Sequence, residues 1–134
     1  MIIKFFQKRI MSFKNALLGW WHVIRTQQNA WIHAIATVVT ILLGIWLQIK
    51  KQDWAVLIMI IAMVWTAEFL NTALEIVVDL ASPDRHPLAR VGKDVGAAAV
   101  LIAALSAVAI GVLLLGPPLL GELQHLLQKI GLGN

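Results

Sequence analysis

The chain has 134 residues, of which 60% are apolar and only 13% charged, with a mean hydropathy of +0.81. This composition excludes an ordinary soluble domain and points to a membrane, while the absence of cysteine excludes disulfides, thiolate metal sites and cysteine nucleophiles. The formal charge of +4 does not point to nucleic acid, because the cations stand beside apolar segments and no soluble stretch is long enough to present a basic face.

In chain order, residues 1–29 place Phe6, Ile10, Phe13, Leu17 and Trp20 or Trp21 at helical spacing with basic residues mostly between them. The pattern predicts an amphipathic helix in the headgroup layer, its apolar face down and its Lys and Arg toward anionic lipid. Three apolar runs follow, at 31–49, 54–80 and 95–115, each long enough to cross ~30 Å of hydrocarbon at ~1.5 Å per residue. Trp20, Trp21, Trp31, Trp46 and Trp54 fall near predicted span ends, where indole suits an interface. The segment ASPDRHPLARVGKD (81–94) reads as a loop in which Pro87 could open a short helix. The third run is crowded with Gly, Ala and Ser, which lets helices approach closely in lipid. After Pro117-Pro118, residues 118–130 read as a short amphipathic helix.

Lys4, Lys8, Arg9, Lys14 and Arg25 precede the first span, and Arg85, Arg90 and Lys93 lie between the second and third. The positive-inside rule therefore predicts a multi-pass protein of the cytoplasmic (inner) membrane with its N-terminus in the cytoplasm. The fold class is an all-α membrane protein, one domain built from a surface helix and three transmembrane helices.

The second span ends in WTAEFLNTALEIVVD (65–79). At about 100° per residue, Glu68, Asn71, Thr72, Glu75 and Asp79 share an arc of about 100°, and Phe, Leu, Ala, Ile and Val fill the rest of the circumference. An ionised carboxylate at mid-bilayer costs at least ~2.5–3.5 kcal/mol, so these acids need compensation. Depth supplies part of it. If the span enters at Trp54, Glu75 and Asp79 emerge at the cytoplasmic surface and Glu68 sits roughly 8 Å below it. Three readings compete: polar residues holding helices together, an ion or proton pathway, and an interfacial site for anionic chemistry. The apolar stretch MIIAMV toward Trp54 argues against a path that crosses the membrane.

The following loop favours the interfacial site. Arg85, His86, Arg90, Lys93 and Asp94 lie on the same predicted side as Glu75 and Asp79, so acids that could hold Mg²⁺ stand opposite cations that could hold phosphate. Phosphoryl transfer needs little beyond such positioning and a base. The chain has neither GxxxxGK[ST] nor GxGxxG, so any nucleotide is bound in another way.

Here the residues resemble a family. Glu68-x-x-Asn71-Thr72-Ala73-x-Glu75-x-x-Val78-Asp79, then His86-Pro87-Leu88-Ala89-Arg90-x-x-Lys93-Asp94-x-x-Ala97-Ala98-x-Val100, with Phe13-x-x-Ala16-x-x-Gly19 and Gln27-x-Asn29-x-x-Ile32-His33 upstream, is similar to the prokaryotic integral-membrane diacylglycerol kinases. That family includes the undecaprenol kinases. The resemblance implies a homotrimer with sites shared between subunits, transferring the γ-phosphoryl of MgATP to a membrane lipid alcohol, diacylglycerol or undecaprenol, at the cytoplasmic interface. By position it implies Glu68 as general base, Glu75 as Mg²⁺ ligand with Asn71 supporting it, Lys93 on the phosphates, and Asp79, His86 and Asp94 around the nucleotide. Gln27 stands where family members commonly carry a glutamate that is a second metal ligand, so the Mg²⁺ site would lose one negative charge there. The run HPLAR-x-x-KDV looks closer to the undecaprenol kinase branch. The alternative from another class is a non-catalytic oligomeric membrane protein or ion-conducting subunit. His22 is read as solvated or in the headgroup layer and His33 as a structural or headgroup contact. His125 carries no signal, and His86 could either bind phosphate or cap the helix at Pro87.

Overall fold

A computed structural model describes residues 2–84 and 86–130. Four helices follow one another: α1 (Ile2–Thr26), α2 (Gln28–Trp46), α3 (Lys51–Ala81) and α4 (Pro87–Lys129). No strand occurs among the described residues, and α2, α3 and α4 are each long and apolar enough to cross a membrane. The expected all-helical class and three spans are therefore present.

A single residue separates α1 from α2. Gln27 is extended (φ −102°, ψ 119°) and makes no side-chain cap, yet its N–H still bonds Val23 O at 2.9 Å. The chain turns a corner without losing a backbone bond, and the Gln27 side chain stays free to reach elsewhere. Between α2 and α3 the turn passes through Gln48 at φ 50°, a left-handed conformation uncommon outside glycine. Gly44 makes room beside it: a Cβ there would stand 2.9 Å from Trp54 Cη2 and 3.2 Å from Ile49 Cδ1. The Trp54 indole thus packs against α2, a role beyond interface anchoring.

The helix opened by Pro87 is not short. His86 is its N-cap, with Nδ1 accepting the Leu88 N–H at 3.2 Å, and Pro87 sits at a first-turn position where its missing N–H costs nothing. The helix then runs 43 residues, about 64 Å at 1.5 Å per residue, or roughly twice the hydrocarbon thickness. The break expected at Pro117-Pro118 does not occur. Both prolines lie inside α4, so residues 118–130 form its last turns and not a separate helix. Proline cannot donate to the carbonyl four residues back, which frees those of Leu113 and Leu114. They sit where the predicted apolar run ends, and water can take them there.

α3 and α4 form the main packed pair, with α1 and α2 leaning on them. Leu57, Ile60, Val64 and Trp65 of α3 are buried, as are Val100, Ala103 and Leu115 of α4. Where α1, α2 and α3 meet, Val23, Ala30 and Trp65 form a cluster with Ile24, Ala34, Ile61 and Phe69 against it. Ala30 is fully buried, its small side chain letting three helices converge. Trp20 stacks on Trp65 (5.5 Å between centroids) and Phe69 (5.2 Å), so it pins α1 across α3. Trp65 Nε1 donates to Thr37 Oγ1 at 3.2 Å, tying α2 to the same point. Many large apolar side chains remain exposed along α2, α3 and α4, as suits a surface whose solvent is lipid or another helix.

Candidate active site

The polar stripe of α3 forms a gradient. Glu68 is 1% exposed and Thr72 2%, Asn71 and Glu75 are half-buried, and Asp79 is exposed. Thr72 Oγ1 donates back to Glu68 O at 2.9 Å, which satisfies that hydroxyl locally. Asn71 Nδ2 donates to Glu75 Oε1 at 3.1 Å, one turn on. On the other side of Glu68 the buried positions of α3 are Trp65, Val64, Ile60 and Leu57, so the polar lining stops there. A carrier path would have to continue.

Two residues reach this stripe from other elements. Gln27, in the α1–α2 corner, donates Nε2 to Glu75 Oε2 at 3.1 Å, so the Glu75 carboxylate is held between two carboxamides. His33 of α2 places Nε2 3.7 Å from Glu68 Oε2. Asn71 Oδ1 is buried without a hydrogen-bond partner, and it faces Gly96 of α4. A Cβ on Gly96 would overlap that oxygen and stand 3.0 Å from Leu74 Cδ2. Gly96→Ala is therefore expected to cost ~1–3 kcal/mol of stability and to push Asn71 away from Glu75. Thermal unfolding in detergent and turnover should both fall; an unchanged pair of values would show that the helices do not approach closely here.

The second cluster surrounds the loop between α3 and α4. Lys93 Nζ bonds both Asp79 oxygens, at 2.8 and 3.0 Å. Arg90 Nε lies 3.8 Å from Asp94 Oδ2, both largely exposed, and such a surface pair adds little stability. His86 spends Nδ1 on its capping bond, which leaves Nε2 for a ligand. These residues line an open cleft of about 980 Å³ with Ser82, Asp84 and Pro87. Arg85, expected among the cations here, lies outside the described residues.

Residues 14–115 match the family described as prokaryotic diacylglycerol kinase. The chain is 35% identical over 108 residues to the undecaprenol kinase of Bacillus subtilis, covering 81% of this chain and 88% of that protein. It is 42% identical over 112 residues to the diacylglycerol kinase of Synechocystis, covering 83% of this chain and 64% of that protein. With the diacylglycerol kinase of Escherichia coli it shares 34% identity over 97 residues, 72% of this chain and 76% of that protein. The chain belongs to the prokaryotic diacylglycerol kinase family. It is a lipid kinase, and the non-catalytic alternative is not favoured.

In this kinase Glu68, Gln27, Asn71 and Glu75 stand in one neighbourhood, while Asp79, His86, Lys93 and Asp94 stand in another. The two adjoin at Glu75 and Asp79, one turn or roughly 6 Å apart along α3, while Glu68 lies roughly 16 Å from Asp79. From the sequence His33 is a structural or headgroup contact; in the structure it is the one basic side chain within 4.0 Å of Glu68 among the described residues. A signal was present: His33 is the only ionisable residue in its apolar run, and such a residue calls for a named partner. The Trp20–Trp65–Phe69 cluster is not legible in the sequence, because nothing in periodicity says which helix an aromatic will meet.

Proposed function

We propose that this family member transfers the γ-phosphoryl group of ATP to the hydroxyl of a membrane lipid alcohol at the cytoplasmic interface. One observation carries the reading: a buried carboxylate, Glu68, lies on the same helical stripe as Glu75 and Asp79, whose exposure rises toward the α3–α4 loop. An oil-soluble acceptor can meet Glu68 from the apolar side, and a water-soluble triphosphate can meet the outer end. Glu68 takes the hydroxyl proton, the oxygen bonds the γ-phosphorus, and the bond from that phosphorus to the β–γ bridging oxygen breaks as ADP leaves. Lys93 and His86 bind phosphate oxygens, with Asp79 and Asp94 orienting them and the rest of the nucleotide.

Mg²⁺ fits the Glu75 neighbourhood. A carboxylate between two carboxamides offers hard oxygen donors of the kind it takes, and Asn71 Oδ1 is buried there with no partner of its own. Among the described residues no group of three or more His, Cys, Asp or Glu could hold a metal ion, so the phosphates must complete the coordination, as is usual for Mg²⁺ at nucleotide sites. Glu75 would hold the ion, with Asn71 supporting it and Gln27 contributing a neutral oxygen after its amide turns. When bound, the ion neutralises charge on the phosphate oxygens.

The protein works as a homotrimer with shared sites in an inner membrane, N-terminus inside, α1 along the headgroups. The wide apolar exposure of α2 to α4 supports packing against further copies. The acceptor follows the HPLAR-x-x-KDV run. With purified protein in mixed micelles, MgATP and equal mole fractions of undecaprenol and diacylglycerol, phosphate is expected on undecaprenol at the higher rate. Faster labelling of diacylglycerol would reverse the acceptor assignment, and cation flux without any lipid phosphate would end the kinase reading.

A further inference from the structure

His33 and Glu68 form a pair whose hydrogen bonding is incomplete. His33 Nε2 and Glu68 Oε2 face each other at 3.7 Å, too far for a hydrogen bond. Both atoms are buried and neither has any other hydrogen-bond partner. Buried polar atoms in native proteins are rarely left this way, because each has given up water and received nothing in return. The imidazole is held in place by its edge-on contact with Trp65, 6.4 Å between centroids, and Trp65 is itself fixed by Thr37 and Trp20. The gap is thus not a loose end of a mobile side chain. A single oxygen set beside the pair, off the line joining the two atoms and about 2.8 Å from each, satisfies both.

We propose that this gap is the seat of the acceptor hydroxyl and that His33 is a second catalytic residue beside Glu68. Imidazole Nε2–H donates to one lone pair of the lipid oxygen, while Glu68 Oε2 accepts the hydroxyl proton. The second lone pair points away from both and is the one that bonds the γ-phosphorus. During transfer the proton moves to Glu68 and the electron pair of the broken P–O bond leaves with ADP; His33 keeps its own proton throughout. Its contribution is orientation: two fixed contacts define where the nucleophilic lone pair points, which one carboxylate cannot do alone. The inference rests on the role of Glu68 given above.

Kinetics of the full-length enzyme in mixed micelles with undecaprenol or diacylglycerol test it. His33→Ala is expected to lower kcat/KM for the acceptor about 30-fold or more, with KM for MgATP unchanged within about twofold. His33→Gln, which keeps an N–H donor of similar reach, should recover to within about fivefold of wild type. A packing role would move both variants alike and shift KM for MgATP and Tm with them; that result overturns the proposal. So does an acceptor kcat/KM for His33→Ala within about twofold of wild type. Glu68→Gln, run in parallel, separates the two claims. If it is dead while His33→Ala is normal, only the hydroxyl seat fails; if it is active, the base reading fails first.

Discussion

Glu68→Gln should lower lipid phosphorylation by about a thousandfold or more, within the 10²–10⁴ range for loss of a general base and toward its upper end in an apolar site. MgATP binding, measured by equilibrium dialysis, should be unchanged, because the nucleotide cluster at Asp79 and Lys93 lies roughly 16 Å further along α3. The variant should also be at least as stable as wild type. Glu68 is 1% exposed in a chain read as spanning a membrane, and a neutral amide of the same shape avoids burying an ionised group. Retained fold and retained nucleotide with lost turnover would separate chemistry from packing. A rate within tenfold of wild type would remove Glu68 from the mechanism.

The second large effect is expected at Glu75. Its two oxygens accept from Gln27 and Asn71, so Glu75→Gln removes the only charge from a group of three polar side chains. Turnover at ordinary millimolar Mg²⁺ should drop about a hundredfold and recover in part as Mg²⁺ is raised, since Mg²⁺ at nucleotide sites is held by few carboxylates and each counts. Gln27→Glu should move the other way and lower the half-saturating Mg²⁺. A loss at Glu75 that no Mg²⁺ concentration relieves, together with an unchanged Mg²⁺ requirement for Gln27→Glu, would mean that the pair serves only to join the α1–α2 corner to α3.

Gln27 shows how far a sequence goes toward a site. Its place in a motif marked it as a candidate, and nothing local says that a residue 48 positions before Glu75 touches it. The contact arises because Gln27 stands in the one-residue corner between two helices with its side chain free of any cap. Gly96 is similar. Small residues throughout the third run predicted close approach, yet a side chain lies within 4 Å at Gly96 and none does at Gly111. Composition gave the permission, and the crossing point of α3 and α4 decided where it was used.

The amino-acid order alone settled the all-helical class and the three spans, since apolar run length and the 3.6-residue period are local properties that lipid enforces. It also settled the acidic edge of α3, because residues on one helix keep their relative angles whatever else the chain does. It does not place the end of α4, because a proline pair suggests a stop although bonds lost near the edge of an apolar run can be made to water. Only the tertiary structure brought His33 to Glu68, Gln27 to Glu75 and Trp20 to Trp65. Those meetings depend on how helices cross, and crossing is set by the shapes of surfaces far apart in the chain.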